Sequence, residues 1–156
     1  MRSQLRAGEG KPQMPEATVW RRRARRELPV LAAVATGGAL GALSRYGVAR
    51  AWPRQPGGFP WATFAINVSG CLAIGVLLVV ITEVRATHRL ARPFLGTGVL
   101  GGFTTFSTYA VETEHLLAYH PVTALAYLAG TAAAALVAVQ TGVVATRSLT
   151  LRRETR

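Results

Sequence analysis

Neutral hydrogen-bonding side chains lie inside stretches of the sequence that are otherwise apolar. The stretch GGFTTFST, from Gly101 to Thr108, contains two adjacent glycines and four hydroxyl side chains. Asn67 lies near the middle of a second stretch, and Tyr127 and Thr131 share one helical face in another. Burying such groups in an apolar medium is costly unless they are partnered or face a cavity. They therefore indicate either a path along which an ion exchanges water for hydrogen-bond donors, or structural contacts between helices.

Four apolar runs could form the elements that hold these side chains. Half of the 156 residues are hydrophobic, and three runs, 28–48, 61–82 and 122–145, are long enough for a bilayer, which needs roughly 20 apolar residues. A shorter run, 94–111, contains GGFTTFST. We expect an all-α membrane protein with four transmembrane helices. The third helix is expected to break at Gly101–Gly102, because glycines weaken a helix. Carbonyls freed at membrane depth must then be buried in protein or meet water or an ion.

Small residues recur at every fourth position on two of the runs. Ala33, Gly37, Gly41 and Arg45 share one face of the first run, and Gly130, Ala134, Ala138 and Gly142 share one face of the last. Helices in lipid associate through close packing rather than through hydrophobic force. The two faces therefore predict a tight bundle or an oligomer.

The net charge of +11 and the run RRRARRE, from Arg21 to Glu27, raise the question of nucleic-acid binding. The run abuts the first apolar span, where a basic cluster anchors a helix and sets its orientation, so no nucleic-acid partner is expected. We expect 1–27 to be a basic, disordered cytoplasmic tail and 28–146 to be the four-helix domain. Residues 147–156 are expected to form a basic cytoplasmic C-terminal tail.

Lys and Arg are distributed unequally between the two ends of the predicted helices. The N-terminal tail, the second connection and the C-terminal end carry fifteen, whereas the first connection carries only Arg50 and Arg54. The positive-inside rule therefore predicts that both termini are cytoplasmic and that the chain inserts in one orientation. The single cysteine, Cys71, lies in the second span and can form no intrachain disulfide.

Three motifs resemble those of the CrcB/Fluc family of small fluoride channels. They are GGALGALSRY (37–46), TFAINVSGCLAIG (63–75) and GVLGGFTTFSTYAVE (98–112), and the resemblance covers roughly 30–146. It implies a fluoride-specific ion channel rather than an enzyme, which lowers cytoplasmic fluoride by passive export across the cell inner (plasma) membrane. It also implies an antiparallel, dual-topology dimer of four-helix subunits, with two fluoride pores and a structural sodium ion at the dimer centre.

The resemblance also implies roles for individual residues. The fluoride-pore residues are Asn67, Phe106, Ser107, Thr108, Tyr109, Tyr127 and Thr131. Arg45 resembles an arginine near the cytoplasmic vestibule, where a positive charge attracts an anion. Gly101 and Thr104 match the positions whose backbone carbonyls hold sodium, and Glu112 matches a carboxylate to which we assign no role.

Two residues depart from the family pattern. Tyr109 stands where the family usually has a second phenylalanine, and Ala135 carries no hydroxyl where the polar track of the fourth helix would continue. These departures favour an alternative, a non-conducting partner subunit of a heterodimeric channel. The unequal Lys and Arg distribution likewise favours a heterodimer with an oppositely oriented paralogue over a homodimer, because antiparallel copies need nearly balanced charges. A small multidrug exporter is a further alternative, but it needs a carboxylate inside the membrane, and the acidic residues here lie outside the spans or near their ends.

Overall fold

The computed structural model describes residues 16–55, 57–84 and 89–154, and every regular element within them is helical. The helices are α1 (Glu16–Ala51), α2 (Trp61–Val79), α3 (Gly101–Phe103), α4 (Phe106–Tyr119) and α5 (Pro121–Glu154). Two segments are π-helical: Val80–Val84 directly follows α2, and Pro93–Leu100 directly precedes α3. The prediction of an all-α protein is confirmed.

Three helices in the described part of the chain are long and apolar enough to cross a membrane. They are Glu27–Ala51, Trp61–Glu83 and Pro121–Thr150. These helices coincide with the first, second and fourth predicted spans. The third predicted span, 94–111, falls on the π-helical segment Pro93–Leu100, on α3 and on the first part of α4, with two non-helical residues before α4.

The first and last helices extend beyond the predicted domain boundaries. Because α1 begins at Glu16, residues 16–27 are helical rather than disordered, while residues 1–15 of the predicted tail lie outside the described residues. Helix α5 continues to Glu154, so 147–154 are helical as well. Arg, Glu, Ala and Leu are strong helix formers, so a helix that begins in an apolar run can continue through charged residues.

Helix α1 packs closely against the π-helical segment and α3. A Cβ atom on Gly98 would lie 3.0 Å from the Cα of Gly37, and one on Gly41 would collide with the carbonyl oxygen of Val99. Farther along, Arg45 of α1 contacts Gly102 of α3. Since later residues of one segment meet later residues of the other, the two run parallel. The small-residue face of α1 is therefore an intrachain packing surface, as its spacing predicted.

Helices α2 and α5 form a second parallel pair. A Cβ on Gly142 would lie 2.5 Å from the carbonyl oxygen of Leu72, and one on Gly75 would collide with the carbonyl oxygen of Val139. Of the predicted small-residue face on α5, Ala138 and Gly142 are buried, but a Cβ on Gly130 would meet no atom within 4 Å. Only the C-terminal half of that face therefore packs within the chain.

The ends of this pair are joined by charge and by aromatic packing. Glu83 accepts a hydrogen bond from Arg147 Nε at 2.9 Å where α2 ends. At the other end, the Phe59 ring lies edge-on to Tyr127, with centroids 5.2 Å apart. Tyr127 belongs to a small core with Tyr109, Leu116 and Ala124, which joins α4 to α5.

The helical segment around GGFTTFST is interrupted at Thr104–Thr105 rather than at Gly101–Gly102. Gly101 has helical dihedrals (φ −66°, ψ −34°), whereas Thr104 (φ −71°, ψ 155°) and Thr105 (φ −145°, ψ 124°) are extended. The predicted position of the break is therefore wrong. Gly102 is needed for close packing, because a Cβ there would collide with the carbonyl oxygen of Gly38 in α1.

Candidate functional site

The side chain of Asn67, on α2, binds both backbone groups of Thr105 at the break. Asn67 Nδ2 donates to the Thr105 carbonyl at 3.0 Å, and the Thr105 amide donates to Asn67 Oδ1 at 2.9 Å. An interrupted helix leaves backbone groups without helical partners, and unpaired groups are costly at membrane depth. Asn67 supplies these partners and thereby fixes the orientation of its own amide. Because one Nδ2 hydrogen is used by Thr105, the second is available to a ligand.

The interruption also changes the partners of two backbone carbonyls. In a continuous helix, the Gly101 carbonyl would accept from the Thr105 amide, and the Thr104 carbonyl from the Thr108 amide. The Thr105 amide instead donates to Asn67, and the Thr108 amide donates to Thr105 Oγ1 at 3.1 Å. Carbonyl oxygens released in this way are suitable ligands for a hard cation. Gly101 and Thr104 are the two positions for which sodium binding is predicted.

A cavity of about 300 Å³ lies between α2, the break and α5. Its walls are formed by Asn67, Cys71, Thr104, Thr105, Phe106, Tyr109, Thr131, Ala132 and Ala135. Thr131 is 3% exposed, and its Oγ1 is the one buried side-chain nitrogen or oxygen in the described part of the chain that has no hydrogen-bond partner. Buried hydroxyls are normally paired, so an unpaired one lining a cavity marks a position where a ligand or water can bind.

The two aromatic residues after the break line this cavity differently. The Phe106 ring is 79% exposed, whereas Tyr109 is buried. Their ring centroids are 5.9 Å apart and the ring planes are inclined by 58°. The Tyr109 hydroxyl donates to the backbone carbonyl of Leu128 on α5. Tyr109 therefore offers the cavity its ring, as a phenylalanine would, because its hydroxyl is already bonded to α5.

The predicted hydroxyls Ser107 and Thr108 cluster around Thr105 and are not among the residues that line the cavity. Thr105 Oγ1 donates to Thr108 Oγ1 at 3.0 Å and lies 3.3 Å from Ser107 Oγ. Because Thr105 also accepts from the Thr108 amide, it caps the N-terminus of α4. The sequence prediction assigned no role to Thr105. A threonine that directly precedes the first residue of a helix is a common N-terminal cap, so the role could have been recognised once the start of α4 was known.

Tyr127 is fully buried and lies outside the set of residues that line the cavity. Its hydroxyl donates to Glu112 Oε2 at 2.8 Å. Glu112 also lines a second pocket of about 350 Å³ together with Trp52, Arg54 and Trp61. The carboxylate without an assigned role is therefore the partner of a predicted pore tyrosine.

The predicted vestibule residue, Arg45, reaches the break from α1. Its Nε donates to the Gly102 carbonyl at 3.2 Å, and the side chain is partly buried. In a continuous helix this carbonyl would accept from the Phe106 amide. Arg45 thus places a positive charge beside the interrupted segment.

Five predicted site residues line the cavity, namely Asn67, Thr104, Phe106, Tyr109 and Thr131. The prediction missed Cys71 and Ala132 as cavity residues. Cys71 lies four positions after Asn67, so their shared helical face could have indicated it. Ala132 carries no polar signal, and only the packing of α5 places it there.

Comparisons with known proteins identify the family of the chain. Residues 32–143 match the family model described as CrcB-like protein, Camphor Resistance (CrcB). A protein of Streptomyces avermitilis named fluoride-specific ion channel FluC 2 is 63% identical over 106 residues, which cover 67% of each chain. Fluoride-specific ion channel FluC 1 of Streptomyces coelicolor is 58% identical over 126 residues, covering 80% of this chain and 79% of the relative. A relative in Paracoccus denitrificans, named fluoride-specific ion channel FluC, is 45% identical over 117 residues, covering 74% and 93%. The chain therefore belongs to the CrcB family.

Proposed function

We propose that this chain is a subunit of a fluoride-specific ion channel that lowers cytoplasmic fluoride by passive export. The observation that carries the proposal is the buried, unpaired hydroxyl of Thr131 in a cavity that also contains Asn67 and Phe106. The names of the relatives support the choice of fluoride as the ion. The protein moves an ion and catalyses no reaction.

The proposed path exchanges the water around fluoride for donors fixed by the fold. Thr131 offers its hydroxyl, and Asn67 offers the Nδ2 hydrogen that Thr105 does not use. The rings of Phe106 and Tyr109 have positively polarised edges that contact an anion without holding it tightly. A weak, multi-site path of this kind lets a strongly hydrated ion enter and leave. Tyr127, Ser107 and Thr108 support the path indirectly, because their hydroxyls bond to Glu112 and Thr105.

A sodium ion would be held by the carbonyl oxygens of Gly101 and Thr104. The fit is supported by the redirected amides of Thr105 and Thr108, which leave these carbonyls without their usual helical donors. The ion would supply a fixed positive charge and hold two broken segments together at the centre of a dimer. Arg45 would attract the anion towards the same region from the cytoplasmic side.

The proposed assembly is an antiparallel dimer of subunits with four spans each, residues 93–119 forming the third. Four successive crossings require the first and third segments to run parallel, and likewise the second and fourth. The two parallel pairs of the fold, α1 with residues 93–103 and α2 with α5, support this topology. Both termini would then be cytoplasmic in the cell inner membrane.

The partner is proposed to be an oppositely oriented paralogue. Fifteen basic residues lie on one predicted side of the membrane and two on the other, which supports a fixed orientation for this chain. Streptomyces avermitilis encodes relatives named FluC 2 and FluC 3, so more than one such chain occurs in a single organism. If the paralogue supplies both conducting pores, this chain is a non-conducting partner; Ala135, which brings no hydroxyl to the cavity wall, favours that second candidate.

The test is fluoride efflux from liposomes, followed with a fluoride electrode, using this chain alone and together with a paralogue from the same organism. The variant is Thr131→Val, which keeps the shape but removes the unpaired hydroxyl. We expect efflux to fall about tenfold or more, because a hydrogen bond to a charged group contributes roughly 1.5–3 kcal/mol.

The matched control is Thr141→Val on the same helix. Thr141 is exposed, and its hydroxyl donates to the Val137 carbonyl, so its removal should leave efflux unchanged. Absence of fluoride efflux with folded protein, both alone and together with the paralogue, would contradict the proposed function. If efflux requires the paralogue, equal efflux with Thr131→Val and with wild type would assign this chain the non-conducting role.

A further inference from the structure

An apolar groove of about 270 Å³ lies between the end of α2 and the π-helical segment Pro93–Leu100. Its walls are formed by Ile74, Leu77, Leu78 and Ile81, all on one side of α2 and its π-helical continuation. The opposite wall contains Gly96 and Thr97. The groove is separate from the cavity at the break, with which it shares no lining residue.

The groove exists because side-chain volume is missing on the π-helical segment. A Cβ on Gly96 would have only Leu77 Cδ2 within 4 Å, at an ordinary contact distance of 3.8 Å. By contrast, Gly98 of the same segment is in tight contact with Gly37 of α1. The space between Gly96 and α2 is therefore not filled by other side chains of the described part of the chain.

Basic residues stand at the end of this groove that lies near the membrane surface. Arg92 lines the groove and is exposed, and Arg89, which is also exposed, precedes it. The nearby helix Trp61–Glu83 ends close to the groove, which places the groove at the edge of the apolar layer. Glu83 is ion-paired with Arg147, so its charge is already compensated. The groove lining, among the described residues, includes no acidic side chain.

We propose that this groove binds one anionic phospholipid on the side of the membrane that carries the basic residues. An acyl chain lies along the leucines and isoleucines of α2, and the phosphate contacts the Arg92 guanidinium. Guanidinium groups match phosphate oxygens in charge and geometry. Basic residues next to the end of a transmembrane helix are attracted to anionic lipid. The site adds lipid recognition to the proposed channel and does not depend on which ion the channel conducts.

The experiment reconstitutes the full-length chain in vesicles of equal parts phosphatidylglycerol and phosphatidylcholine, extracts it in mild detergent, and counts retained lipids by native mass spectrometry. Wild type is expected to retain phosphatidylglycerol preferentially. Arg92→Gln should lower that preference roughly fivefold, the effect of one basic residue at an anionic surface. The control Arg54→Gln removes an exposed charge from the connection that precedes α2, away from the groove, and should leave the preference unchanged.

A second variant tests the apolar wall without changing charge. Gly96→Leu fills the groove and should reduce retention of both lipids; Leu78→Gln, on an exposed part of the wall, makes the same test if Gly96→Leu does not fold. Unchanged phosphatidylglycerol retention in Arg92→Gln, or in the groove variants, overturns the proposal. It is also overturned if wild type retains no lipid because a second subunit covers the groove.

Discussion

At the scale of single residues, the side chains at the break differ in which of their atoms are already bonded. Tyr109 offers its ring to the cavity because its hydroxyl is bonded to Leu128, whereas Thr131 offers a hydroxyl that has no partner. The Asn67 side chain has both kinds of atom: its amide is bonded to the Thr105 backbone, but one Nδ2 hydrogen has no partner among the described residues. A list of polar residues at membrane depth therefore overstates the number of groups that can contact an ion.

Replacing Tyr109 with phenylalanine tests this distinction. The change removes the hydrogen bond to the Leu128 carbonyl and keeps the ring, so we expect stability to fall by about 1 kcal/mol. Fluoride efflux through the assembled channel should remain close to that of wild type. The measurements are thermal unfolding of the purified protein and efflux from liposomes.

The contrasting variant is Phe106→Ile, which replaces an exposed aromatic residue that lines the cavity. It should keep the fold and impair efflux, because isoleucine has no polarised ring edge. Gain or loss of conduction in Tyr109→Phe, with intact folding, would show that the tyrosine hydroxyl takes part in the path.

Residue types predicted the composition of the site but not the direction of every side chain. Asn67, Phe106 and Thr131 were identified from the sequence and its resemblance to a family, and the structure brings them to one cavity. The partner of Tyr127 could not be predicted, because Glu112 is fifteen positions away and on another helix. Such a contact depends on the packing of α4 on α5, which local sequence does not specify.

At the scale of elements, the break is stabilised by two side chains, one from α2 and one within the break itself. Asn67 of α2 pairs with the Thr105 backbone, and the Thr105 hydroxyl caps α4. Of the two glycines before the break, Gly102 serves a different purpose, because it allows α3 to approach α1. The sequence located the interrupted segment correctly, but the break was assigned to glycine flexibility. Both glycines are helical, and the interruption lies at the residues whose hydroxyls can cap a new helix.

Thr105→Val tests the cap. The substitution keeps the backbone bonds to Asn67 but removes the oxygen that accepts from the Thr108 amide. We expect a loss of about 1 kcal/mol, typical of a missing N-terminal cap. Hydrogen–deuterium exchange should become faster in the first turn of α4, and efflux should decline as the Phe106 ring loses its fixed position.

The control for this variant is Thr113→Val, in the interior of α4. Thr113 is buried, and its hydroxyl donates to the Tyr109 carbonyl, which is a bond inside the helix rather than a cap. Its replacement should leave exchange in the first turn unchanged. Equal exchange in Thr105→Val and wild type would mean that the other contacts of α4 hold its N-terminus.

At the scale of the whole molecule, one chain forms both the break and the cavity, and it leaves part of the cavity lining exposed. Phe106 is 79% exposed beside a buried, unpaired hydroxyl. The all-α fold and three of the long spans were predictable from hydrophobic runs and basic flanks. The surface of the proposed partner was not predictable, because the sequence of one subunit determines its own charge distribution but not the surface that would cover it.

The charge distribution leads to a prediction about orientation in the membrane. In a Cys71→Ser background, single cysteines at Gln55 in the first connection and Ser148 near the end of α5 occupy exposed positions at opposite ends of the spans. A membrane-impermeant maleimide added to intact cells should label Gln55→Cys and not Ser148→Cys, because fifteen basic residues against two favour one orientation.

Permeabilised cells provide the control, since both cysteines should then react. Comparable labelling of both positions in intact cells would show that this chain inserts in both orientations and can pair with itself. Labelling at Gln55 alone excludes an antiparallel homodimer, because every copy would face the same way. In an antiparallel dimer, the exposed Phe106 ring would then face a chain with the opposite charge distribution. The basic residues at the ends of the helices would in this way determine which chain completes the proposed pore.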